Sequence, residues 1–434
     1  MGFDELRETV RGRVLVAGDA DFEDVARPWN VAVTQPVAAV VEAVDVADVV
    51  AVVRFASDSG RAVVTQPTGH GASGDVAEAI LLRTGLLNEV RVDVAARRAF
   101  VGAGAQWGQV QAAAAEHGLA GLSGSNPVVG VTGYTLGGGL GWFGRKYGWA
   151  SEAVRAFEIV DAEGVEAKVT AESDPELFFA LSGGGGDFGV VTGLEFDLFP
   201  VPVVYGGRVT WPGERLPEVW ELFVELTSHA PDELSVWFER FQFPGAPEMV
   251  ALDVAYLGDA EPGRELVAGI DRLGGAVSDT RAVLSVAEIG AITAEPTAPS
   301  PSISRAELLT EIDDDAVKAL LQSPVAPLIN IQVRHLGGAL ARPTAGARGP
   351  VTAPYVVYLL GLGLPQLRDA VRDKVDAVVS ALGGVIAPAK PFTFLAPGES
   401  AAAAFAEPTL DRLREVKRNR DPHRVIRSNF PVSA

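Results

Sequence analysis

Residues 62–74 read AVVTQPTGHGASG, a β-branched run that breaks into small residues around a single imidazole. Val63 and Val64 suit a buried strand, whereas Pro67 and the three glycines at 69, 71 and 74 cannot continue it. A loop therefore hangs off a strand end. The small residues flanking His70 leave main-chain amides free to cradle a pyrophosphate and hold the ring out with little steric cover. On its own the pattern fits an anion loop with one reactive base and equally a tight turn around a satisfied histidine, so the neighbouring segments decide.

Upstream, residues 37–64 carry apolar residues at helical spacing, a Ser-Gly stop and then the β-branched run, which predicts helix, turn and strand. Downstream, residues 80–106 alternate short apolar strands with turns, and WGQVQAAAAEHGL predicts a helix closed by Gly118. Residues 124–148, GSNPVVGVTGYTLGGGLGWFGRKYG, hold nine glycines, too many for a regular element, so backbone there is expected to approach something closely or bend sharply. Gly130 to Gly141 offers consecutive amides without bulky side chains, against which a flat polar ring could lie. A third loop, SGGGGDFG at 182–189, stands directly before the apolar strand VVTGLEFDLF. None of the three has the GxGxxG spacing of the usual dinucleotide fold.

Beyond FPVPVV the composition changes. Glycine thins out, and amphipathic helices such as GRELVAGIDRLGG and RDAVRDKVDAVVSALGG alternate with strands such as ALDVAYLG and NIQVRHLGG. A domain boundary is expected near Val201, and a charged helix, LDRLREVKRNRDPHRV, marks a separate segment from about Pro391.

The 434 residues hold 36 basic and 56 acidic side chains, a net charge of −20, with no dense Lys/Arg block, which disfavours nucleic acid and anionic membrane surfaces. With no cysteine, disulfides, thiolate nucleophiles, iron–sulfur clusters and cysteine zinc sites are excluded. The charged N-terminus lacks a secretory h-region and no stretch has the length of a membrane span, so a cytoplasmic location is expected. Asp313-Asp314-Asp315 before AVKALLQ reads as a helix cap, and no metal is assigned. GxSxG and HExxH motifs are absent.

The order of the His70 loop, Gly104-Ala105-x-Trp107, GVTGYTLGGGLGWFGRKYG, DPELFFALSGGGGDFGVVT and LREVKRNRDPHRVIRSN resembles the FAD-linked oxidases of the vanillyl-alcohol oxidase superfamily, in particular its berberine-bridge-enzyme-like and 6-hydroxynicotine-oxidase-like bacterial members. The resemblance implies an α+β, two-domain PCMH-type fold. Residues 1–200 would form the FAD-binding domain, residues 201–390 an antiparallel-sheet substrate domain covered by helices, and residues 391–434 a segment returning to the FAD domain. It implies one FAD joined to His70 by a single covalent link, because Asn126, before Pro127, stands where doubly linked members carry cysteine. Two departures matter: Gln66-Pro67-Thr68 replaces the family's RGGGH-type lead-in, and Phe392, Phe394, Thr409 and Arg420 occupy the region that usually supplies a catalytic tyrosine.

Cofactor contacts are expected at Pro67, Thr68, Gly69, His70, Gly71, Ser73, Gly124, Ser125, Asn126, Gly130, Val131, Thr132, Gly133, Thr135, Gly138, Gly139, Gly189, Val190, Val191 and Asn429. The chemistry implied is hydride transfer from an alcohol or amine carbon of a small organic substrate, with dioxygen as the acceptor of the electrons. A flavin monooxygenase or cyclase, or a flavin-bound protein without redox turnover, remains an alternative on the same fold. A base is expected because hydride loss is easier as the neighbouring O–H or N–H proton departs. Tyr134 is one candidate; Arg334 and His335 are others, and strand periodicity turns them to opposite faces, so at most one meets the substrate.

Overall fold

The computed structural model describes residues 2–433. Its first sheet runs Arg13–Val16, Ala39–Glu42, Ile80–Arg83, Val63–Thr65, Ile426–Arg427, with only the first pair antiparallel. The helix after the second strand spans Val46–Ser59. Asp45 caps it by accepting from the Asp48 amide, and Gly60, at φ 66, ends it. Residues 39–42 are thus strand and not helix. They are paired on both sides and Ala39, Val40 and Val41 are fully buried, so nothing polar alternates to betray the period of two.

A second, antiparallel sheet is ordered Val90–Asp93, Arg98–Gly102, Val190–Asp197, Val154–Val160, Glu166–Val169. The helix Trp107–Ala115 opens with a reciprocal cap between Gln106 and Gln109 and lays Trp107 and Val110 into the same core as Phe157 and Phe196.

The third sheet is built from residues 204–362. It is antiparallel, in the order Ser278–Asp279, Val204–Pro212, Met249–Leu257, Leu234–Phe241, Leu328–His335, Tyr355–Leu362, Ser302–Leu309, and Ala282–Leu284 also joins Val204–Pro212. Helices Leu216–Ser228, Ala268–Leu273, Asp314–Leu321 and Arg368–Leu382 cover one face, burying Trp220, Phe223, Phe238, Val333 and Leu359. Asp313 caps the third of these by accepting from the Ala316 amide at 2.8 Å. The expected single helix in GRELVAGIDRLGG is two, Ala260–Leu266 and Ala268–Leu273, bent at Val267. Gly263 and Gly269 let Tyr205 and Leu222 come too close for any side chain there.

The uncovered face of this sheet meets the second glycine-rich segment. Trp237 stacks on Trp142 with centroids 3.6 Å apart, and Ser235 Oγ donates to the Trp142 carbonyl at 2.8 Å. A polar sheet face and the glycine loops therefore close on one another.

Candidate active site

The His70 loop is shaped from below by Pro28 and Trp29. Gly69 sits at φ 80, where a Cβ would lie 2.8 Å from Pro28 Cβ, and the Trp29 amide donates to the Thr68 carbonyl at 3.1 Å. The imidazole stacks on Trp29 at 4.4 Å and 18°. Its Nδ1 is 2.8 Å from Thr68 Oγ1, while its Nε2 is buried with no protein partner. Burial pulls its pKa down to about 4, so the ring is neutral at pH 7. Ser73 accepts from the Asp75 amide at 3.1 Å, and no atom stands within 4 Å of where a Gly71 side chain would go. Gln66 Nε2 donates to Gln35 at 2.6 Å and to Asn429 Oδ1 at 2.7 Å, which brings Asn429 to this loop.

Gly130 meets the loop directly, its Cβ position being 3.6 Å from both Pro67 Cβ and Thr68 Oγ1. After it comes a short helix, Val131–Leu136, in place of the irregular backbone expected from the glycine count. Val131 is core, Thr132 Oγ1 donates to the Ala103 carbonyl at 3.0 Å, Thr135 Oγ1 is buried without a partner, and Gly133 faces open space. At three glycines of this segment the space that a side chain would fill is taken by protein. Side chains at Gly124 and Gly139 would press on the Tyr134 ring, at 3.3 and 2.5 Å, and one at Gly138 on Arg348 at 3.0 Å. Tyr134 is wedged there, edge-on to Trp107, with its hydroxyl buried and unpartnered. Burial raises its pKa and keeps the phenol protonated.

Ser125 Oγ donates to Glu295 at 2.6 Å, and Asn126 bridges the Pro296 carbonyl and the Val128 amide. Gly189 packs on Ile159, and Val190 and Val191 are already strand with core side chains, so only their main chain could reach a ligand. Just before them, Asp187 accepts from the amides of Ser428 and Val432 at 2.8 and 2.9 Å, docking the tail that carries Asn429.

On the sheet face opposite, Arg334 lies over Trp237 at 3.9 Å, near Tyr358 and Phe394, and within electrostatic reach of Tyr134. Glu239 accepts from Asn330 at 3.1 Å and from Gln332, and shares Arg208 with Asp253. Burial and the adjoining Glu239 carboxylate push the Asp253 acid well up. His335 is not part of this group. It points through to the helix-covered face, against Arg145 at 3.1 Å and Tyr355, with its pKa lowered to about 3 by burial. Glu239, Asp253 and Gln332 were unread in the sequence. The available signal was a charged or amide residue inside the otherwise apolar strands SVWFERF, ALDVAYL and NIQV. Glu295 sits in a loop and had no such signal.

Residues 37–170 match the family described as FAD binding domain. The chain is 33% identical over 296 residues to (R)-6-hydroxynicotine oxidase from Paenarthrobacter nicotinovorans, covering 66% of this chain and 64% of that enzyme, just under two thirds of its length. Residues 37–170 thus form an FAD-binding domain, and the chain is similar to FAD-linked oxidases. Its fold is shared with 6-hydroxy-D-nicotine oxidase from Arthrobacter nicotinovorans, at TM-score 0.83, 24% identity and 96% of both chains. It is shared as well with the Physcomitrella patens BBE-like 1 protein, at TM-score 0.87, 18% identity, 100% of this chain and 99% of that one. The residues present fit the FAD that such a domain binds. Among the described residues, His70 Nε2, Tyr134 Oη, Thr135 Oγ1 and Ser428 Oγ are buried polar atoms without protein partners, carried by the His70 loop, the short helix Val131–Leu136 and the C-terminal tail. Among the described residues, no helix is long and apolar enough to cross a membrane.

Proposed function

We propose that the protein is an FAD-dependent oxidase that removes a hydride from an alcohol or amine carbon of a small organic molecule and returns the electrons to dioxygen, with FAD bonded once, to His70. The observation that carries this reading is the His70 ring. Trp29 fixes its plane and burial keeps it neutral; with Nδ1–H donating to Thr68 Oγ1, Nε2 carries the lone pair that a bond to carbon requires. Asn126 offers no thiolate for a second bond.

The bound flavin supplies the electron acceptor; the protein supplies position and proton handling. Tyr134, held protonated, serves as a hydrogen-bond donor and not as the base. His335 takes no part, since it lies on the far side of the sheet. Glu295 is the carboxylate best placed to accept the substrate proton: it bonds to Ser125 and lies within electrostatic reach of Arg334 and Tyr358.

Acid precipitation of the purified protein is expected to leave a yellow pellet, and the peptide containing His70 is expected to gain the mass of the flavin. A colourless pellet would remove the covalent bond, and a native protein that neither carries nor takes up flavin would end the whole reading. Peroxide released in step with substrate consumption marks an oxidase; an oxygenated product without peroxide would favour the monooxygenase alternative.

A further inference from the structure

Two arginines stand on the polar face of the third sheet, and their charges are treated differently. Arg208 is neutralised, bonded to Asp253 at 2.6 and 2.7 Å and to Glu239 at 2.8 Å. Arg334 is not. It is 8% exposed, and among the described residues no carboxylate lies within 4.0 Å of its guanidinium. Its Nε donates to Gln332 at 2.5 Å, and among the described residues no acceptor bonds its two terminal nitrogens. The nearest carboxylates are already engaged, Glu239 by Arg208, Asn330 and Gln332, and Glu295 by Ser125. Glu295 and Glu239 act on it only at a distance; a guanidinium largely withdrawn from water with no carboxylate in contact is costly, and the cost falls when a ligand brings an anion against it. The rings of Trp237, Tyr358 and Phe394, at 3.9, 5.4 and 5.6 Å, fix the plane of the group. What remains available is the fork of terminal N–H donors, whose geometry matches a planar group with two oxygens.

We propose that the substrate is a carboxylic acid carrying the hydroxyl or amine to be oxidised, and that Arg334 docks its carboxylate. The proposal rests on the flavin oxidase reading and names the substrate class of the same site. Glu295 then faces the other end of the molecule, where its negative charge favours an O–H or N–H donor and disfavours a second acid group.

The test uses the purified full chain as isolated and matched pairs of acid and amide: benzoate with benzamide, phenylacetate with phenylacetamide, and indole-3-acetate with indole-3-acetamide. Binding is followed by calorimetry and by tryptophan fluorescence, since the guanidinium lies on Trp237. At least one acid is expected to bind about tenfold or more tightly than its amide, as a charge-assisted bidentate contact would give. Arg334→Met is expected to erase that preference and Arg334→Lys to keep part of it, with circular dichroism and flavin content unchanged in both. If no pair discriminates, or if the preference survives in a folded Arg334→Met protein, the proposal is overturned. It is overturned as well if the variants lose flavin or alter its visible spectrum while acid binding stays intact, for then Arg334 serves the cofactor. A colourless wild-type protein would instead remove the oxidase reading, whatever the acids do.

Discussion

An alanine at position 139 would place its Cβ 2.5 Å from Tyr134 Cε1 on a backbone at φ 75. Gly139→Ala is therefore expected to cost roughly 2 kcal/mol in urea unfolding. Part of that cost should vanish when Tyr134 is also shortened to alanine, which a double-mutant cycle would reveal as a coupling energy. Removing only the phenol oxygen is a different experiment. Because that oxygen has no protein partner, Tyr134→Phe should leave stability within about 0.5 kcal/mol of the parent while shifting the bound flavin's visible spectrum. An unchanged spectrum would mean that the hydroxyl does not touch the cofactor. His335 has a consequence in acid. Its folded-state pKa, about 3, lies below the ordinary value of 6.5, so the unfolded chain binds the proton more tightly. Stability from this group is full above pH 6.5 and is lost as the pH falls towards 3. Across that window the denaturation midpoint should fall less steeply for His335→Gln than for the parent; equal slopes would show that His335 is not held neutral.

Among the elements, legibility followed how much local signal each carried. The helix Val46–Ser59 is legible from its periodic valines and the Ser-Gly stop, whereas Ala39–Glu42 reads as part of it because a doubly paired, fully buried strand shows an apolar run without alternation. The loop around His70 was legible from its glycines, yet the partners that set its geometry, Trp29 and Gln35, lie about thirty to forty residues away and left no local trace. In the second segment the glycine count was read as ligand contact, while Tyr134 and Arg348 account for several of those positions. Reading a glycine gives the close approach; it does not say to what. The tail shows the same limit, since nothing in IRSN signals a strand beside Val63 and Val64. Asp187 secures that tail through two amides, and Lys417 bridges the Asp187 carbonyl and Asp421. Asp187→Ala should therefore free the last residues, raising their amide hydrogen exchange and costing on the order of 2 kcal/mol. Unaltered exchange at Ile426 and Arg427 would contradict this.

For the molecule as a whole, the cofactor is expected to act as a structural wedge as well as a reagent, because its loops and the polar sheet face belong to parts of the chain hundreds of residues apart. A His70→Ala protein, unable to form the bond, should melt below the parent, and FAD added at about a hundred times its dissociation constant should restore about 2.7 kcal/mol. A melting temperature indifferent to FAD would argue against specific binding. The parallel pairing of Ile426–Arg427 with Val63–Val64 also imposes a timetable on synthesis. The strand leading into the His70 loop gains its neighbour on that side only after residue 427 has cleared the ribosome. Pigment should consequently appear after translation, and a stalled nascent chain halted anywhere in the third sheet should emerge colourless.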